Sequence, residues 1–151
     1  MTNINILYVI PSLEVGGTEK SLLTLITHLL KDEYEIHICC LKNSDSFIAL
    51  TIIEKGYEVF NLSMKSFLDV PKAIKNLGVY IEDNRIDIVS AYLFYAHVIS
   101  YFAVRRTLRR PKLIYNHRTT IVYPLQTLFN RLCSPDQHVC NCDAAKDVLF
   151  G

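Results

Sequence analysis

The chain has 151 residues, about the size of one domain, and half of them are hydrophobic whereas 21% are charged, which excludes intrinsic disorder. The formal net charge of +1 excludes a strong overall attraction to nucleic acid. The five cysteines are an odd number with no C-x-x-C pair, which favours a reducing compartment over a disulfide framework.

The first predicted element is a buried strand over residues 4–10, an almost unbroken apolar run. Gly16 and Gly17 follow it, just before the helical spacing of Leu22, Leu25, Ile26 and Leu29. The first amides of a helix lack partners and carry partial positive charge, and glycine lets another group approach the main chain. This turn is therefore a candidate anion site. A plain tight turn stays open as the alternative, because neither G-x-G-x-x-G nor a P-loop is present.

Strands and helices alternate along the rest of the chain. The predicted strands cover residues 35–41, 57–62, 86–91, 112–115 and 137–141, and the predicted helices cover residues 47–53, 69–81, 95–108 and 124–132. Such alternation implies parallel pairing through right-handed crossovers. We therefore predict a single Rossmann-like, doubly wound α/β domain with a parallel sheet of about six strands.

The string ILYVIPSLEVGGTEKSLLTLITHL resembles the opening of the retaining glycosyltransferases of the GT-B fold, family 4. That family opens with an apolar strand, Pro-Ser-Leu and Gly-Gly-Ala-Glu. Here Thr18 replaces the alanine, while Gly16, Gly17 and Glu19 match. The later segments EKGYEVFNL, RIDIVSAYLFYAH, KLIYNHRTT and SPDQHVCNCDAAKDVL are similar to the family's next strands, in the same order from residue 4 to residue 149.

The resemblance implies that residues 1–151 are the amino-terminal, acceptor-side half of a two-domain hexosyltransferase. The carboxyl-terminal domain that holds the nucleotide sugar would be absent, and the last residues resemble a helix cut short, so we expect a truncated chain with no activity of its own. The implied partners are a nucleotide sugar, the missing domain and a carbohydrate or lipid-linked acceptor, without nucleic acid. The resemblance also implies retention of configuration, no metal and no other cofactor.

By the same resemblance, Gly16 and Gly17 bring main-chain amides to the diphosphate of the donor, where they would stabilise the charge that grows on the leaving group. Glu19 would lie near the cleft, or would only complement the helix dipole. His117 ends the fifth strand and is the implied catalytic residue, a hydrogen-bond donor near the reacting sugar that faces the glycine turn across a crevice. Arg118, beside it, is either a phosphate ligand or an exposed loop residue.

Ser90 and Tyr92 stand where many family members have the two histidines of His-Ala-His, which removes any imidazole role at these positions. The Tyr92 hydroxyl can still bind a substrate. We expect His97, one turn further on, to be a surface or core histidine. The alternation of His138, Cys140 and Cys142 on one strand face suggests a metal site, but buried cysteines acting as small hydrophobes are favoured.

A basic cluster follows the fourth helix and consists of Arg105, Arg106, Arg109, Arg110 and Lys112. Cations at a helix carboxyl end complement its dipole, which is a sufficient structural explanation. The alternative is a patch for anionic lipid headgroups. We accordingly expect a cytoplasmic protein, with peripheral contact at the inner face of the membrane as a further possibility.

Two other classes of function remain open. The first is a non-catalytic GT-B-like module for binding or assembly. The second is another nucleotide-binding Rossmann-like protein, which is disfavoured because Cys39, Cys40 and Leu41 stand at the end of the second strand, where dinucleotide-binding folds place an acidic residue.

Overall fold

A computed structural model describes residues 3–29, 33–42, 45–118, 124–141 and 146–147 of the chain. Six strands alternate with five α-helices in these ranges, and a 3-10 turn over Phe67–Asp69 precedes the third helix. The elements are β1 Ile4–Ile10, α1 Gly17–His28, β2 Tyr34–Cys40, α2 Phe47–Glu54, β3 Val59–Asn61, α3 Val70–Asp83, β4 Ile88–Tyr92, α4 Leu93–Arg106, β5 Lys112–His117, α5 Pro124–Leu132 and β6 Gln137–Cys140.

The six strands form one parallel sheet in the order β3-β2-β1-β4-β5-β6. This order confirms the predicted Rossmann-like, doubly wound α/β fold. The strand order reverses between β1 and β4, and in such sheets ligands bind beyond the carboxyl ends of the strands at this reversal.

The helices cover the two faces of the sheet in separate groups. Helices α1 and α2 pack on the face formed by Tyr8, Ile10 and Ile38, which we call the α1 face. Helices α3 and α4 pack on the opposite face, which contains Leu7 and Tyr115 and which we call the α4 face. The alternation of side chains along β1 sends successive residues to opposite faces, so each face has its own apolar core.

The beginning and end of α2 follow the signals in the sequence. Ser46 is the N-cap of α2, and its hydroxyl accepts a hydrogen bond from the amide of Ala49 at 3.3 Å. Gly56 follows the helix with a φ of 87°, a conformation that favours glycine. Within the described residues, every helix is too short or too polar to pass through a bilayer.

The junction between β4 and α4 differs from the prediction. The predicted strand ends at residue 91 and the predicted helix begins at residue 95, whereas β4 ends at Tyr92 and α4 begins at Leu93. Leu93 has a φ of 67°, so one residue in the left-handed region turns the strand directly into the helix. A leucine gives no sequence signal for that conformation, which is why the junction is predicted as a loop.

Candidate functional site

Three neighbouring strands bring the predicted site residues to one edge of the sheet. In the parallel register, Val9 of β1 is paired with Ala91 of β4, and Tyr92 is paired with Asn116 of β5. The carboxyl ends of β1, β4 and β5 therefore lie side by side. Tyr92 and His117 are the last residues of β4 and β5 at this edge. The turn that leads into α1 follows the end of β1 at the same edge.

Gly16 is the N-cap of α1, and its φ of −152° and ψ of 174° are open to any residue. The need for glycine is a matter of space, because a Cβ here would meet the carboxylate of Glu19 and would lie 3.3 Å from its Cδ. Glu19 is 9% exposed and folds back over the Gly16 main chain. Burial raises the pKa of the Cys40 thiol to about 12, and the nearby Glu19 carboxylate adds to this, so Glu19 also lies towards the end of β2.

Gly17 is the first residue of α1 and has different surroundings. Among the residues that the structure describes, none would lie within 4 Å of a Cβ on Gly17, and Gly17 is exposed. The helix has no side-chain cap at Gly16, and its first intrahelical bond runs from the Lys20 amide to the Gly16 carbonyl at 3.1 Å. The first amides of α1 have no partner within the helix, which is the property that an anion site at a helix N-terminus uses.

Tyr92 and Arg118 form a pair at the same edge. The Tyr92 ring is 1% exposed, and the guanidinium carbon of Arg118 lies 5.5 Å from the ring centroid, within the range of a cation–π contact. Burial raises the pKa of the Tyr92 hydroxyl, and hydrogen bonding to Arg118 and Ser90 partly offsets this effect. The Tyr92 ring thus contacts the partly buried guanidinium of Arg118 at the carboxyl ends of the strands.

Sequence reasoning did not identify Asn116 as part of this edge. The Asn116 amide donates a hydrogen bond to the Ser90 hydroxyl at 2.8 Å, and both side chains are buried on the α1 face. The Ser90 side chain in turn forms a hydrogen bond with the Tyr92 side chain, so this polar pair helps to hold the tyrosine in place. The available signal was an amide inside the otherwise apolar strand KLIYNH, because a buried amide needs partners.

His117 lies at the end of β5, but its ring is buried on the α4 face. The side chain is 2% exposed, and its Nε2 lies 2.9 Å from Nδ1 of His138 on β6. The ring of His97 from α4 contacts it edge-on, with centroids 5.0 Å apart. We call His97, His117 and His138 the histidine cluster. The glycine turn begins α1, which covers the other face of the sheet, so the prediction that the His117 ring faces this turn across a crevice is wrong for the described fold.

The histidine cluster is neutral at neutral pH. Burial lowers the pKa of His117 to about 4, with a smaller contribution from His138, and burial lowers the pKa of His97 to about 3. His97 is predicted to be a surface or a core histidine, and its buried position shows the second of these. A neutral His117 can donate or accept a hydrogen bond, but it does not act as a cation.

Within the part of the chain that the structure describes, no group of three or more His, Cys, Asp or Glu side chains is arranged to hold a metal ion. Cys142, the third member of the predicted alternating set, lies outside the described residues. Cys140, the second member, is only partly buried, whereas a buried cysteine is predicted.

The basic cluster lies far from the glycine turn, because α4 begins at the carboxyl edge of the sheet and runs to the opposite edge. Two of its arginines have partners there. Arg109 Nη2 lies 3.3 Å from the carboxylate of Asp87, and the Arg105 guanidinium lies 4.8 Å from the centroid of Tyr101. These contacts support the structural explanation of the cluster.

The sequence model of Glycosyltransferase Family 4 matches residues 15–150, so the chain belongs to this family. No curated protein sequence matches it significantly.

Solved structures show the same fold. The lipopolysaccharide outer core galactosyltransferase WaaB, in its apo form, superimposes with a TM-score of 0.74 at 16% identity, covering 97% of this chain and 42% of that one. Anabaena Alr3699/HepE, in complex with UDP and glucose, gives 0.68 at 17% identity, covering 98% and 41%. Acinetobacter baumannii MurG gives 0.65 at 10% identity, covering 87% and 40%. The chain thus spans about two fifths of the length of these structures.

Proposed function

We propose that the chain is the amino-terminal, acceptor-side domain of a retaining hexosyltransferase that uses a nucleotide sugar. The observation that carries this proposal is the family match over residues 15–150. The N-terminus of α1 and the Arg118 side chain, which contacts the Tyr92 ring, both lie at the carboxyl ends of the strands and agree with it. The donor-binding half would be supplied by a second domain, and this domain alone would be inactive.

In the proposed reaction, the acceptor hydroxyl attacks the anomeric carbon from the side on which the donor phosphate departs. The bond from that carbon to the phosphate oxygen breaks, a bond to the acceptor oxygen forms, and the hydroxyl proton passes to the leaving phosphate. The amides at Gly16 and Gly17 and the Arg118 guanidinium would stabilise the departing charge, and the Tyr92 hydroxyl would bind substrate. Glu19 would shape the turn that presents these amides.

His117 would donate a hydrogen bond near the reacting sugar. Its Nε2 is engaged by His138, so the contact would be made through Nδ1. Because the ring is 2% exposed, the proposal requires the crevice to open at this ring when substrate and the second domain are in place.

The test uses the protein expressed from its complete reading frame, assayed with a panel of UDP-, GDP- and dTDP-sugars. His117→Gln should lower kcat by about a hundredfold, the usual loss when one donor to a developing charge is removed. His28→Gln is the matched control, because His28 is an exposed histidine on α1. Unchanged turnover in a folded His117→Gln protein would remove this residue from the mechanism.

The stereochemistry and the absence of a metal are tested with the same protein. The proton NMR spectrum of the first product formed should show the anomeric configuration of the donor, and an excess of EDTA should leave the rate unchanged. An inverted product would contradict the retaining mechanism, and a loss of activity that added Mg²⁺ restores would contradict the metal-free one.

We further propose a cytoplasmic enzyme that meets a lipid-linked acceptor at the inner membrane face through the exposed members of the basic cluster, among them Arg106 and Arg110. Replacing Arg106 and Arg110 by glutamate should lower binding to anionic vesicles relative to the wild type and leave binding to neutral vesicles unchanged. Equal binding of both proteins to anionic vesicles would contradict this contact.

A further inference from the structure

We propose that His138 is a positioning residue for His117, fixing both the orientation of its ring and the nitrogen that carries its proton. This inference rests on the catalytic role proposed for His117. Nothing in the sequence pairs these two residues, which are 21 positions apart and come together only because β5 and β6 are neighbours.

The parallel register places His138 beside His117. Tyr115 is paired with His138, and His117 is paired with Cys140, so the three ring-bearing residues lie on the α4 face of adjacent strands. The rings of His117 and His138 meet edge to edge through these nitrogens and are nearly coplanar, with centroids 5.2 Å apart and planes at 21°. A hydrogen bond of 2.9 Å that lies close to the plane of both rings restricts the orientation of the His117 ring.

Among the described residues, two other rings pack against the pair. The Tyr115 ring meets His138 edge-on at 5.8 Å, and the Tyr115 hydroxyl donates to the carbonyl of Cys133 at 3.0 Å. The His97 ring stacks on Tyr115 at 4.3 Å, and its Nε2 lies 3.3 Å from the Asn116 carbonyl oxygen. These contacts add to the hydrogen bond in holding the pair in place, and His138 is its partly exposed member.

The hydrogen bond couples the proton positions of the two rings. Between two neutral imidazoles, one nitrogen must donate and the other must accept. If Nδ1 of His138 donates, Nε2 of His117 accepts and the proton of His117 is on Nδ1. That is the tautomer in which His117 can donate to a substrate through Nδ1. Burial lowers the pKa of His138 as well as that of His117, so the neutral pair is the form present at neutral pH.

Two variants separate the hydrogen bond from the bulk of the His138 side chain. His138→Asn places an amide group near the position of Nδ1, and His138→Leu keeps an apolar side chain of similar size without a hydrogen bond. Both are expected to fold, because His138 is partly exposed and is the second residue of the short strand β6. Melting temperatures confirm this before any other comparison.

The readout is the long-range ¹⁵N–¹H spectrum of histidine-labelled full-length protein, which reports the tautomer of each ring. The wild type and His138→Asn should show His117 with its proton on Nδ1, whereas His138→Leu should show a mixture of tautomers. In sugar transfer, kcat should fall by roughly tenfold in His138→Leu at unchanged KM and recover in His138→Asn, because ring misplacement affects the reaction more than binding.

The result that would overturn the inference is a His138→Leu protein in which His117 keeps the wild-type tautomer. This outcome is independent of the proposed function, since His117→Gln could still abolish transfer. The opposite pattern is a shifted His117 tautomer in His138→Leu together with full sugar transfer in His117→Gln. It would overturn the catalytic role of His117, and positioning by His138 would then have no effect on the reaction.

Discussion

The two adjacent glycines at the start of α1 have different physical reasons to be glycine. Gly16 has an ordinary extended backbone, and a Cβ here would require the Glu19 carboxylate to move. A Cβ on Gly17 would contact nothing within 4 Å among the described residues. The first glycine is therefore coupled to the packing of Glu19, and the second is not constrained by the described fold.

Gly16→Ala should lower the free energy of unfolding by about 1 kcal/mol, because the new Cβ displaces Glu19 from its buried position. In a Glu19→Ala background the same substitution should be clearly less destabilising, since the displaced group is gone. Urea unfolding of the four proteins measures this coupling. Equal losses in the two backgrounds would show that Glu19 is not the reason for the glycine.

At this scale the sequence predicts residues that turns and strand ends expose, such as the glycine pair and Arg118. It does not predict the roles of Asn116 or His138, because each depends on a partner from a neighbouring strand. The sequence places His117 close to the end of the fifth strand, although β5 extends two residues beyond the predicted strand. The groups around its ring are not predicted, because His97 and His138 come from α4 and β6.

The histidine cluster joins α4, β5 and β6, and the rings packed around it in the described part of the chain are uncharged. Its histidines are neutral when folded and become protonated more easily when unfolded, because burial lowers the pKa of His117 to about 4 and that of His97 to about 3. Below the ordinary histidine pKa of about 6.5, the unfolded chain therefore binds more protons than the folded chain. The stability that these residues contribute is present above that pH and is lost as the pH falls.

We expect the free energy of unfolding to decrease between pH 6.5 and pH 4, by at most about 1.4 kcal/mol per pH unit for each of these two histidines. Urea unfolding at a series of pH values measures the slope. His97→Gln should make the slope shallower, whereas His28→Gln, on the exposed surface of α1, should not change it. A free energy of unfolding that is constant over this range would show that these histidines are protonated as readily in the folded chain as in the unfolded chain.

The number, order and type of the elements agree with the prediction because apolar periodicity reports burial on one or both faces. The junctions agree less well. At Leu93 a single residue in a rare conformation replaces a predicted loop of several residues, and only the surrounding packing can enforce this.

At the scale of the whole molecule, the carboxyl ends of β1, β4 and β5 form one wall of the proposed cleft. The chain covers 40% to 42% of the length of the three glycosyltransferase-like structures described above. If the donor is held mainly by a second domain, the 151-residue chain alone should bind nucleotide sugars far more weakly than the full-length protein. Calorimetric titration of both proteins measures this, and equal affinities would place the donor site within the present domain.

The most direct test of the central claim is the affinity of the full-length protein for its nucleotide sugar after Gly17→Val. The new side chain enters space that nothing in the described fold fills, so the melting temperature should change little. It would also stand where the donor phosphates approach the first amides of α1, so calorimetric titration should show affinity reduced by at least about tenfold, the loss expected when one charge-assisted contact of about 1.5 kcal/mol is broken. Wild-type affinity in a folded Gly17→Val protein would contradict the account.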